Sequence, residues 1–267
     1  MRRKPAVADR FYPSSPKALL EVVKKHTPTD IQKKTVFGVV SPHAGFIYSG
    51  EVAGSVYASV EIPDTIILLG PNHTGIGPSV SIMAKGTWDM PQGPVEIDQE
   101  LGRSLLSASS LLEENFSTHL DEHSLETQIP FIQQFKSEFK IVPICLQKLS
   151  LSQCHTLGQA ILSGINKLDR KVLIIASSDM SHYESYDNTL RKDKLAIDLI
   201  LERDPKALYR VVKENRISMC GVVPVTVMLI IANALGAKSA ELVKYMTSGE
   251  VNGDMNSVVG YAGILVG

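Results

Sequence analysis

Short apolar runs that stop abruptly in turns constrain this chain more than any other feature. VFGVV at 36–40, TIILL at 65–69, KIVPI at 140–144 and VLIIA at 172–176 are too short for a buried helix. Their branched and aromatic content reads as strands of a covered sheet. Three further strands are expected over 80–84, 241–246 and 258–265. Between the runs, apolar residues return at helical spacing, first at Ala18, Leu19, Val22 and Val23 in a helix over 16–25. The same spacing predicts helices over 50–60, 98–107, 125–135, 152–166, 188–201, 205–213 and 222–234. KGTWDMPQGP at 85–94 reads as loop. Alternating strands and helices imply an α/β fold with a central, mainly parallel or mixed sheet and helices on both faces. With 267 residues and 44% hydrophobic content, one core and a single domain over 1–267 are expected.

Three of the strand ends carry a histidine in a Gly/Pro/Ser/Asn turn: His43 in SPHAG, His73 in GPNHTG and His182 in SSDMSH. An open α/β sheet delivers such loops to one edge, where distant parts of the chain meet. Neutral imidazole is a common transition-metal ligand and titrates near neutral pH, so the three residues point to a metal centre or to acid/base work. Asp179 stands where it would orient an imidazole, ligate a metal itself or cap a turn. Cys220 precedes Gly221 and the apolar segment 222–234. There it acts as a soft metal ligand, as a nucleophile activated by a helix N-terminus, or as a small buried hydrophobe.

Charge and cysteine usage narrow the classes. A formal net charge of −1 with scattered basic residues excludes the footprint of nucleic-acid binding. No apolar stretch reaches membrane-span length; the longest, 222–235, contains Pro224, Thr226 and Asn233. No secretory leader is evident at the start. Cysteines at 145, 154 and 220 lack the spacing of a disulfide framework, so reduced thiols and a cytoplasmic setting are expected. His119-Leu120-Asp121-Glu122-His123 fits the inverted zincin pattern H-x-x-E-H. Its context is poor, because Ser117, Thr118 and Asp121 resemble helix-start chemistry and the apolar face begins only at Leu125. Asp121, Glu122, His123 and Glu126 instead suggest a polar rim around the strand-end histidines, or a solvated helix start.

SPHAGFIYSGEVAG, LLGPNHTG, LDEHSLETQIPF, VLIIASSDMSHY, MCGVVP and TSGEVNGDMNSVVGYAG, in this order across the chain, together resemble the Memo family. Its bacterial and archaeal members are also called AmmeMemoRadiSam system protein B. The resemblance implies a fold similar to class III extradiol dioxygenases, which are non-haem iron enzymes. It places His43, His73 and Cys220 at metal positions, His182 pointing into the site as the acid/base group, and Asp179 beside it. It also implies Fe(II), with Cu or Zn as alternatives, an unknown small substrate, and radical-SAM and AMMECR-type pathway partners. A thiol in place of the dioxygenase carboxylate softens the site, and Glu250 or Asp254 would supply an acid instead. Two other readings use the same cleft: a metal-dependent or Cys/His hydrolase, and a non-catalytic module that binds a peptide or partner.

Overall fold

The computed structural model describes residues 1–267. Four parallel strands form the middle of a mixed sheet, in the order Lys140–Leu146, Thr65–Pro71, Val172–Ser177 and Gly38–Ser41. Val258–Val266 pairs antiparallel with the last of these and carries both Ala240–Thr247 and His182–Glu184. Side-chain alternation builds two cores, one on each face. Ile67 and Leu69 point to one face, with Leu105, Ile161 and Leu229 from the helices Gln99–Ala108, Leu151–Asn166 and Val222–Ala234. Ile66 and Leu68 point to the other, with Leu19, Val56 and Phe131 from Pro16–His26, Phe46–Ala58 and Ile129–Phe135. The expected α/β architecture is therefore present, with a mixed sheet. No helix is long and apolar enough to cross a membrane.

Departures from the expected elements have local causes. The helix expected over 50–60 begins at Phe46, directly after Gly45, so the His43 turn runs straight into it. Residues 125–135 divide into a 3-10 turn, Glu126–Gln128, and a helix, Ile129–Phe135. Pro130 lies in the first turn of that helix, where its missing N–H breaks no intrahelical bond. The segment read as loop at 85–94 contains Thr87–Trp88, which pairs with Arg2–Arg3 and with Val95–Ile97. Such a pairing depends on chain 85 residues away and leaves no periodic trace.

Parallel pairing in register, with Ser41 beside Ser177 and Leu69 beside Ala176, brings the strand ends to one edge. The helix Val222–Ala234 starts at that same edge, and its approach is close. A Cβ on Gly221 would lie 2.4 Å from both the Ser177 carbonyl oxygen and Ser178 Cβ. Gly221→Ala should thus cost about 1–3 kcal/mol through overpacking. Urea denaturation would show it as a lower midpoint at constant slope; an unchanged midpoint would mean that the helix can retreat.

Candidate metal centre

Three imidazoles converge at this edge. His43, His73 and His123 each offer a ring nitrogen, and the three atoms lie within 4.8 Å of one another. The His73 and His123 rings stack at 4.6 Å with an interplanar angle of 19°. His43 stands across both, at 75° to one and 79° to the other. His43 is 2% exposed and forms the floor, whereas the His73 and His123 side chains are 34% and 22% exposed and line an entry.

Each ring is held by its surroundings. His43 Nδ1 lies 2.8 Å from Ser177 Oγ, at the end of the neighbouring strand, and the His43 backbone N–H donates to Asp179 Oδ1 at 2.8 Å. His73 Nδ1 is 2.9 Å from Glu122 Oε1, and the His73 backbone N–H donates to Glu122 Oε2 at 2.5 Å. The buried Glu122 also accepts from Ser124 N–H at 2.8 Å, and its Oε1 lies 3.6 Å from His123 Nδ1. Phe11 packs edge-on against His123, with ring centroids 4.9 Å apart.

Cys220 meets the cluster from the other side, its Sγ 3.3 Å from His43 Nε2. Two of the expected ligands, His43 and His73, are thus members of the converging trio, and Cys220 adjoins it through His43. The third member is His123. His182 is not a member of the trio, although its charge reaches His43: its Nδ1 is 2.9 Å from the Ser218 carbonyl oxygen, and its backbone N–H donates to Ser218 Oγ at 2.7 Å. A carbonyl only accepts, so neutral His182 carries its proton on Nδ1 and keeps Nε2 as a base. The hydrogen bonds to His182 come from Ser218, and the expected partner Asp179 meets that ring through charge alone. Asp179 instead serves His43, through the backbone bond and an Oδ2 3.9 Å from Nε2.

The alternative acids are engaged elsewhere. Glu250 Oε1 accepts from the Thr247 backbone and hydroxyl, at 2.9 and 3.2 Å, and Asp254 accepts from Asn256 N–H at 2.9 Å. Both carboxylates satisfy local turns. The zincin geometry is absent as well. Ser117–Leu120 is a helix of four residues, and His119 turns inward to Cys145, with Nδ1 3.4 Å from Sγ, while His123 faces the cluster. Glu126 points into the protein and pairs with Arg3.

Burial lowers the His43 pKa well below its ordinary value, and the neighbouring His123 and His73 add to the effect. It lowers His123 too, against the opposing pull of Glu122. Burial would also lower His73, but the hydrogen bond and charge of Glu122 outweigh it and the net shift is upward. Glu122 is held down at about 2 because its contacts with His73 and Ser124 overcome its own burial. Burial and the nearby Asp179 push the Cys220 thiol upward. A cationic partner is therefore required before this sulfur becomes a thiolate. Two of the three imidazoles are thereby kept in the neutral, metal-binding form beside a firmly ionised carboxylate.

His123 and Glu122, expected only as a polar rim or a solvated helix start, lie at the site itself, His123 as the third imidazole and Glu122 against His73. Their signal was the H-x-x-E-H stretch itself, whose second half belongs to the site while its first half belongs to the core.

Comparison with known proteins agrees with this architecture. A family model described as Memo-like protein matches residues 3–265. A MEMO1 family protein of Methanococcoides burtonii is 44% identical, the match covering 99% of each chain. One from Methanopyrus kandleri is 39% identical, again over 99% of each. Among solved structures, an uncharacterized protein from Escherichia coli K12 superposes with a TM-score of 0.59 at 11% identity, covering 85% of this chain and 98% of that one. At that identity the likeness concerns the fold alone.

Proposed function

Since the chain belongs to the Memo family, we propose that it is a mononuclear non-haem metal protein of dioxygenase-like oxidoreductase type, acting on a small substrate in the cytoplasm. The observation that carries this reading is the convergence of His43, His73 and His123 within 4.8 Å. Three nitrogen donors, one exposed flank and a carboxylate behind one ring fit a divalent ion in kind and number. The Cys220 sulfur, 3.3 Å from His43 Nε2, completes the set as a soft fourth donor. This mix suits Fe(II) and also accommodates Zn or Cu. When bound, the ion supplies Lewis-acid polarisation and, if it is iron, redox chemistry with dioxygen.

The protein's own groups do the rest. His43 sits deepest and fixes the floor, while His73 and His123 leave the approach open to substrate. His182 Nε2 accepts a proton from a substrate hydroxyl, with Ser218 holding the ring in the required tautomer. Asp179 braces the His43 turn through the backbone N–H. Radical-SAM and AMMECR-type proteins remain the proposed pathway partners, on the strength of the family resemblance.

Oxygen uptake by anaerobically Fe(II)-loaded protein, presented with a panel of small dihydroxylated aromatics, tests the reading. Uptake stoichiometric with substrate loss is expected, and His182→Ala should lower its rate by about 10²–10⁴-fold, the usual worth of a general base. Failure of every compound to consume oxygen, with iron demonstrably bound, would favour the non-redox use of the same centre.

A further inference from the structure

Beyond that assignment, and resting on its metal-site reading, we propose that Glu122 and Ser177 are positioning residues that lock His73 and His43 as Nδ1–H tautomers, committing both to bind through Nε2. The proton inventory of the hydrogen bonds carries this. Ser177 Oγ lies 2.6 Å from the Ser124 carbonyl oxygen, which only accepts, so the single hydroxyl proton of Ser177 points there. Gln128 Nε2, 3.0 Å away, only donates to Ser177 Oγ, and its amide orientation is fixed by the Pro42 carbonyl oxygen at 2.9 Å and by the Tyr57 hydroxyl donating to Oε1 at 2.8 Å. With its proton committed, Ser177 can only accept from His43 Nδ1 at 2.8 Å. Neutral His43 therefore holds its hydrogen on Nδ1 and presents a bare Nε2.

The same inventory fixes His73. Both Glu122 oxygens already accept backbone N–H groups, Oε2 from His73 and Oε1 from Ser124, so the carboxylate stands as the acceptor and Nδ1 donates to it across 2.9 Å. The two assignments share one element. Ser124 donates its N–H to Glu122 and accepts from Ser177 with its carbonyl, while its hydroxyl donates to the Pro71 carbonyl oxygen at 2.9 Å. The loop 122–124 thus threads between the His43 and His73 turns, sets both tautomers and supplies the third imidazole. It is a template for the site, laid down before any ion arrives.

Long-range proton–nitrogen NMR of the metal-free protein at mildly alkaline pH reads the tautomers directly, independently of any metal. Protonated Nδ1 and bare Nε2 are expected for His43 and His73; an Nε2–H signal assigned to either ring would overturn the proposal. Cobalt(II) affinity by calorimetry provides the second measurement. Glu122→Ala should weaken binding by about 10–100-fold, as loss of an outer-shell partner does. Glu122→Gln, which keeps an acceptor oxygen near Nδ1, should recover part of the loss and restore the wild-type cobalt spectrum. If the wild type binds cobalt while Glu122→Ala binds it equally well with His73 still protonated on Nδ1, Glu122 has no positioning role and the proposal fails. Absence of cobalt binding in the wild type would sink the metal-site reading instead, and with it the function assigned to these tautomers.

Discussion

His43→Ala should abolish metal binding while leaving a folded protein. His43 is the common neighbour of every other donor, with ring centroids 5.2 Å from His73 and 5.5 Å from His123, and Nε2 3.3 Å from the Cys220 sulfur. Its loss should cost more than the ~10–100-fold that removal of an outer-shell partner costs. His73→Ala should behave in the same way. The structural penalty is smaller, because Ser177 Oγ loses the imidazole but keeps its bonds to Gln128 and the Ser124 carbonyl oxygen. Metal content after anaerobic loading, measured beside the thermal midpoint, separates the two effects. Stoichiometric metal in both variants would remove the proposed centre.

The largest effect on stability is expected at Arg3, outside the histidine trio. This side chain and Glu126 are both 0% exposed and pair at 2.6 Å. Arg3 also donates to the carbonyl oxygens of His119 and Glu122 and lies over the Trp88 ring, 4.1 Å from its centroid. Glu126 accepts in addition from the backbone N–H groups of Ala6 and Val7, at 2.7 and 3.1 Å, and from the Tyr12 hydroxyl. Arg3→Met would leave a buried carboxylate without its cation, which costs about 3–5 kcal/mol. Because the guanidinium ties the amino-terminal strand to the loop bearing Glu122 and His123, metal affinity should fall together with stability. Chemical denaturation and cobalt titration on the same variant check both. A cost below about 1 kcal/mol would show that the backbone donors alone sustain Glu126.

Periodicity made most of the architecture legible. The helix over 222–234 and the start of the strand at Thr65 stand where apolar spacing put them, because those segments are buried by their own pattern. Thr87–Trp88 escaped because one of its partners, Arg2–Arg3, lies at the amino terminus and its own two residues carry no period. The candidate site was legible to the extent that it follows strand ends. His43 and His73 sit two residues beyond paired strands, and parallel register alone brings them together. His123 lies in a loop with no strand before it, and only the packing of residues 122–126 against both turns delivers it. Asp179 illustrates a further limit, because neighbours in sequence need not be neighbours in function. Asp179 and His182 stand three positions apart, yet Asp179 accepts from the His43 backbone N–H while His182 bonds to Ser218. Ser218, distant in the chain, takes over as the partner of His182.

X-ray absorption spectroscopy of the protein loaded with a single equivalent of zinc tests the central claim most directly. Three nitrogen scatterers at about 2.0–2.1 Å and one sulfur at about 2.3 Å are expected, with the sulfur shell lost in Cys220→Ser and one nitrogen lost in His123→Ala. A shell of solvent oxygen alone, unchanged by His43→Ala, would contradict it.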